Sequence, residues 1–190
     1  MKKSMIVATL TAGFMSVPAF AGSWVDNVYV SADIGSGAFN TSNYAKLGGQ
    51  TGASSPTATT ERLAVGYTFN PYLAVEAGYT NFNSATAVFY GPLAGAPASI
   101  DGDSTQLAAV GTYPFNDKFA VFAKLGAAYD SVSSVGSTAN GTNLMYGAGV
   151  KYNLTANWGV HAEYDDLGKT SFGIGNIDLQ MASVGVSYNF

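Results

Sequence analysis

Val184-Gly185-Val186-Ser187-Tyr188-Asn189-Phe190 closes the chain, and every second residue of it is large and apolar. Between Val184, Val186, Tyr188 and Phe190 stand Gly185, Ser187 and Asn189, all small or polar. A period of two describes a β-strand with one face in an apolar medium and the other in a polar one. The chain then stops on an aromatic residue carrying the free carboxylate. Working back from this strand, the same alternation recurs in stretch after stretch of the 190 residues.

At the other end Lys2 and Lys3 precede a mostly apolar run, Met5 to Phe14, followed by Ala19-Phe20-Ala21. This is the layout of a cleaved secretory signal peptide, and it predicts a leader over residues 1–21 and a mature chain from Gly22. The apolar run is too short for a bilayer, which takes about 20 residues. Losing two lysines and no acids takes the formal charge from −4 to −6. No basic stripe remains to displace phosphate counterions, which argues against nucleic acid as a partner. The chain has no cysteine, so it must be held without disulfides. Gly, Ser, Thr or charge interrupts every other apolar run, leaving a closed barrel as the one way for this chain to cross a membrane. High glycine (23 residues) and low charge (11%) suit the crowded interior and apolar exterior of a narrow barrel.

The alternation predicts eight strands. The first covers Val28 to Gly37, with Val28, Val30, Ala32 and Ile34 on one face and Asp33 on the other. A Gly, Ser, Thr and Asn-rich stretch from Asn40 to Thr60 reads as a loop. The second strand, Glu61 to Phe69, sets Leu63, Val65, Tyr67 and Phe69 against Arg62, Ala64 and Gly66. Asn70-Pro71 is a tight turn, because proline fixes φ and cannot donate to a ladder. The third strand sets Leu73, Val75, Ala77 and Tyr79 against Glu76. A loop follows from Asn83 to Gly102. The fourth strand, Asp103 to Phe115, is the least regular, with Val110 among its polar set. After the Asn116-Asp117 turn, the fifth strand places Phe122, Lys124, Gly126 and Asp130 opposite Phe119, Val121, Leu125 and Tyr129. Ser133 to Thr142 reads as a loop. Lys151 lies on the polar face of the sixth strand, and His161 and Glu163 on that of the seventh, beyond a turn at Ala156-Asn157. Gly168 to Gly175 is the last loop. In the eighth strand Asp178 and Gln180 share the apolar parity, far enough from Phe190 to emerge at the opposite rim.

Short turns thus alternate with longer loops, as they do in an eight-stranded antiparallel up-and-down transmembrane β-barrel. Ten residues rising about 3.3 Å each and tilted near 40° span roughly 25 Å, the height of an apolar band. Periodicity alone leaves open which face is inside, since a lipocalin-like barrel would turn the apolar set inward. The leader and the terminal Phe decide for the apolar set outward. A Lys or Arg facing lipid at mid-depth costs about 2–4 kcal/mol, so Arg62, Glu76, Lys124, Lys151 and Glu163 must point inward. Each lies on the polar parity of its strand.

Gly66-Tyr67-Thr68-Phe69-Asn70-Pro71-Tyr72 with Glu76-Ala77-Gly78-Tyr79 resembles the second hairpin of the OmpA-type transmembrane domain. Tyr113-Pro114, Lys124-Leu125-Gly126 and Gly149-Val150-Lys151-Tyr152 continue the likeness over roughly Asp26 to Phe190, in a superfamily that includes opacity-type and Ail-like surface barrels. The resemblance implies a bacterial outer-membrane location and contact with outer-membrane lipid and lipopolysaccharide. It also implies delivery by periplasmic chaperones, and assembly by machinery that reads a terminal aromatic signal, here Tyr188 and Phe190. It further implies a lumen crossed by buried acid–base pairs. Glu76 keeps the family's third-strand acid, but His161 stands where its Arg partner would be, Val110 at a lysine position and Lys151 at an acid position. The expected rewiring pairs Lys151 and Lys124 with Glu163 and Glu76, with Arg62 and Asp33 nearby.

His161 and Glu163 invite comparison with lipid A deacylase barrels, but Ala162 stands at their serine position and His161 faces inward. Asp165-Asp166 suggests an omptin-like acid pair, yet adjacent strand residues face opposite sides. Asp101-Gly102-Asp103 reads as a solvated turn before a calcium site. No catalytic residue, metal site or cofactor is expected. The expected role is structural or surface-interacting with a mostly plugged lumen, because an eight-stranded interior is just wide enough for side chains. The alternative is a narrow porin-like channel for ions or small solutes. Loops of Gly, Ser, Thr and Ala name no extracellular ligand.

Overall fold

The computed structural model describes residues 27–40, 52–53, 57–90, 97–134, 137–172 and 175–190. The leader lies outside them. Eight long antiparallel strands form one closed barrel: β1 (Val28–Asn40), β3 (Thr57–Asn70), β4 (Leu73–Tyr90), β5 (Pro97–Pro114), β6 (Phe119–Ser134), β7 (Ser137–Asn153), β8 (Trp158–Phe172) and β9 (Gly175–Asn189). A two-residue strand, β2 (Gly52–Ala53), adds to the end of β4 opposite Tyr90 and Phe89. Each long strand pairs with the next, and β1 closes the cylinder on β9 with Tyr29 opposite Asn189 and Ile34 opposite Val184. No sheet edge is left over in the barrel wall, which an apolar medium requires.

The three short connections are tied by their own side chains. Asn70 Oδ1 accepts from the Tyr72 amide at 2.9 Å, and Asn116 Oδ1 from Lys118 and Phe119. Thr155 Oγ1 accepts from Asn157 and Trp158. Such Asx- and Ser/Thr-type caps favour a tight reversal, and this turn end is periplasmic in outer-membrane barrels.

Parity is as the sequence predicts. Tyr67 (41%), Val186 (46%), Leu125 (58%) and Val184 (58%) are exposed, whereas Arg62 (3%), Glu76 (5%), Lys124 (5%) and Glu163 (5%) are buried. Aromatic rings gird the turn end, with Trp158 packed on Tyr188 and Tyr188 on Phe190, both at 5.0 Å between centroids. Towards the opposite rim, outward Asp178 pairs with Lys169 at 3.4 Å, and Gln180 donates to Asp166 at 3.2 Å. Polar groups at that height meet one another or water rather than acyl chains.

The loop end differs from expectation. Three stretches that read as loops are largely strand: β4 runs to Tyr90 and β5 begins at Pro97, β6 ends at Ser134 and β7 begins at Ser137, and β8 reaches Phe172 before β9 starts at Gly175. Beyond the bilayer the outward side chains no longer need to be apolar. The alternation therefore fades there while the backbone ladder continues. Gly168 marks a bulge rather than a strand end. It adopts φ +88°, open to glycine, where the β8–β9 register shifts, and its amide donates to Asp166 Oδ1 at 2.9 Å. Asp101-Gly102-Asp103 lies within β5 and is not a turn.

Candidate functional site

The lumen is filled in layers. At mid-height, side chains from six strands meet on the axis: Asp33 (β1), Arg62 (β3), Glu76 (β4), Gln106 (β5), Lys124 (β6), and His161 and Glu163 (β8). Arg62 uses one terminal nitrogen on Glu76 and the other on Glu163, and its Nε donates to Gln106 Oε1 at 3.2 Å. Lys124 Nζ donates to the same two acids, at 2.9 Å to Glu76 and 2.6 Å to Glu163. Glu76 and Glu163 therefore each bridge both cations in a ring of alternating charge. Around it Tyr29 Oη donates to Glu76 Oε2 at 2.8 Å, Gln106 Nε2 to Thr80 Oγ1 at 2.9 Å, and Asp33 lies 3.7 Å from Arg62 while meeting His161 Nε2. Room for these side chains comes from glycine at the paired position on the adjacent strand. A Cβ at Gly66 would overlap the Tyr29 ring, and one at Gly185 would overlap the Asp33 carboxylate.

Six of the seven lumen residues singled out from sequence converge here. Lys151 does not join the ring, contrary to the expected pairing. Its Nζ sits 5.9 Å from the centre of the Tyr29 ring, and among the described residues it has no acid within ion-pair distance. Register explains the difference. Lys151 is paired with His161, whereas Glu163 lies opposite Gly149, one inward position closer to the loop end. Arg62 and Lys124 already saturate the acids from shorter range. Arg62 is the cross-brace that the sequence pointed to only as a neighbour.

Above the ring the inward set turns mostly apolar, although Thr60, Asp130 and Asp165 are also fully buried on the same inward faces. Phe39, Phe82, Val132, Met145, Leu167 and Leu179 are all at most 1% exposed and pack with Ala85, Ala108 and Ala128 into one cluster, with the Phe39 and Phe82 rings 5.6 Å apart. Sequence reasoning missed this plug. Its signal was available in the inward parity, on which Leu179 falls within the eighth strand and Phe82 just past the end of the third. Below the ring lies a cavity of about 510 Å³ that reaches the turn end, lined by Tyr29, Val110, Phe122, Lys151, Asn153 and Ser187 among others.

Asp33, His161 and Glu163 present donor atoms within 4.8 Å of one another, a spacing that a metal ion could use. Arg62 and the Asp33–His161 contact already claim these atoms, so the donor set fits a charge network better than a cation site. Asp165 and Asp166 split across the wall. The former is fully buried in the lumen, and the latter accepts from outward Tyr146 Oη at 3.2 Å. Asp103 accepts from Tyr79 Oη at 3.4 Å, and Asp101 bonds Ser84, so neither faces a common centre.

A closed antiparallel cylinder with an apolar exterior, girdled by aromatics and filled by ion pairs, defines a transmembrane β-barrel protein. Residues 7–190 match the family model of the outer membrane protein beta-barrel domain, and the chain belongs to that family of outer-membrane proteins. An uncharacterized protein of Coxiella burnetii is 27% identical over 252 aligned positions covering all of both chains. The fold is similar to that of Neisserial surface protein A (TM-score 0.64, 20% identity, 86% of this chain and 97% of that one). It is also similar to Ail of Yersinia pestis, solved with the heparin analogue sucrose octasulfate (TM-score 0.53, 17% identity, 86% of this chain and 99% of that one).

Proposed function

We propose that this barrel is a non-conducting outer-membrane protein that makes its contacts at the loop end and performs no chemistry on a substrate. The observation that carries this reading is the double closure of the lumen: a ring of bridged charges at mid-height with a tightly packed, mostly apolar layer above it. Moving an ion through would require breaking paired, desolvated charges and then entering an apolar layer. The alternative, a narrow channel, is supported by the cavity that opens the turn-end half of the lumen.

The loop end of this chain is poor in cations. By sequence only Lys46 and Lys169 fall in or beside its four connections, so a polysulfated ligand such as the one bound by Ail meets little complementary charge here. Neutral hydrogen-bonding partners, and the lipopolysaccharide around the barrel, suit its Ser, Thr, Asn and Gly better. Cleavage before Gly22, escort by periplasmic chaperones, and recognition of Tyr188 and Phe190 by the assembly machinery complete the proposal. Deleting Phe190 should lower the amount of barrel in the outer membrane while leaving its folding into synthetic vesicles unchanged.

Conductance in planar bilayers tests the central reading. Silence across voltage and pH supports it. Steady steps that Lys151→Trp abolishes would replace it with the channel.

A further inference from the structure

The turn-end cavity has chemistry that neither the plug nor the ring uses. Its inner wall carries Lys151, whose ammonium has no acid within ion-pair distance among the described residues and sits 5.9 Å from the centre of the Tyr29 ring. Of the other ionisable side chains lining the cavity, Glu76, Lys124 and Glu163 are spent on one another and on Arg62, and His161 on Asp33, while Asp117 stands at the exposed turn. Beside Lys151, Ser187 is 4% exposed and its Oγ has no hydrogen-bond partner among the described residues. The two side chains and Asn153 converge. From the position a Cβ would take on Gly159, Lys151 Cε and Ser187 Oγ are each 3.0 Å away and Asn153 Oδ1 is 3.4 Å away. Gly159 leaves this corner open. Across the cavity Ala74, Val110 and Phe122 form a small apolar cluster with Tyr29 packed against it.

A withdrawn ammonium without a counterion is costly, and a polar corner facing an apolar wall suits a ligand with one charged end. We propose that this vestibule binds a small amphiphilic anion from the periplasmic side. Its carboxylate or phosphate would accept hydrogen bonds from Lys151 and Ser187, and its apolar body would lie against Tyr29, Val110 and Phe122. At about 510 Å³ the cavity falls within the usual range of small-molecule sites, roughly 300–1,000 Å³. The ring and plug close the far side, so binding here is distinct from passage and does not depend on the loop-end function.

The test uses the full barrel, ¹⁵N-labelled and refolded in nanodiscs of zwitterionic lipid. It is titrated to millimolar concentration with phenylacetate, phenyl phosphate and, as the neutral control, phenylacetamide. The expected result is saturable amide shifts at Asn153, Gly159 and Ser187 with either anion. Affinity should be at least about tenfold above that for the amide, the ratio a charge-assisted hydrogen bond supplies. Preference between the two anions identifies the headgroup. Lys151→Met should remove the preference over the amide and Lys151→Arg should retain it, with folding of both variants checked by gel mobility before and after boiling. Absence of saturable shifts, equal binding of the amide, or unchanged preference in folded Lys151→Met would overturn the proposal.

Discussion

Arg62→Met removes the one side chain that touches Glu76, Glu163, Gln106 and Asp33 together, while keeping an apolar stem of similar length. Lys124 would remain as the sole cation bridging Glu76 and Glu163, and Asp33 would keep only His161 and Ser31. Removing one partner of a buried charge network costs about 3–5 kcal/mol, because the acids left behind stay desolvated. That is roughly a hundredfold to several thousandfold in the folding equilibrium. The assay is urea unfolding in lipid vesicles, followed by the fluorescence of Trp158 in the turn-end girdle and by gel mobility. Lys151→Met serves as the control: it deletes a half-buried inward cation that belongs to no ion pair among the described residues, and should cost less than about 1 kcal/mol. Adding Glu163→Gln to Arg62→Met should recover part of the loss, since it neutralises one stranded acid. A cost below about 1 kcal/mol for Arg62→Met, or an equal cost for both single variants, would refute the view that Arg62 cross-braces the barrel.

Val184→Arg, halfway along the outward face of β9 and 58% exposed, should destabilise the barrel in lipid by about 2–4 kcal/mol, read from the same unfolding midpoints. Phe82→Ala hollows the apolar plug beside Phe39 and should cost about 3–5 kcal/mol. Its planar-bilayer trace should nonetheless stay silent, because the charge ring beneath remains shut.

The membrane-spanning half of the barrel was legible in the sequence because a lipid boundary enforces strict alternation. Val184, Val186 and Tyr188 against Gly185 and Ser187 is that rule written out, and parity alone sent Arg62, Glu76, Lys124 and Glu163 inward. The three tight turns carried their own marks in Asn70-Pro71, Asn116-Asp117 and Asn157. The strand extensions were hidden for the converse reason. Once both media are polar, nothing obliges Asn81, Ser84 or Asp101 to alternate, and Ser, Thr and Gly read as loop. Pairing within the lumen was legible only as membership. Which cation reaches which acid depends on stagger between strands, and that stagger placed Lys151 below the ring while Arg62 took its centre.

The claim on which all of this rests is that the large apolar residues face lipid and the ionisable ones face the axis. The chain has no cysteine, so single cysteines can be placed freely, one at a time, along β9 from Met181 to Tyr188. Each is spin-labelled in lipid vesicles and its collision rate with dissolved oxygen is measured. The account predicts a rate that alternates residue by residue, high at 182, 184 and 186 and low at 181, 183 and 187. A flat profile, or one with the opposite phase, would contradict it.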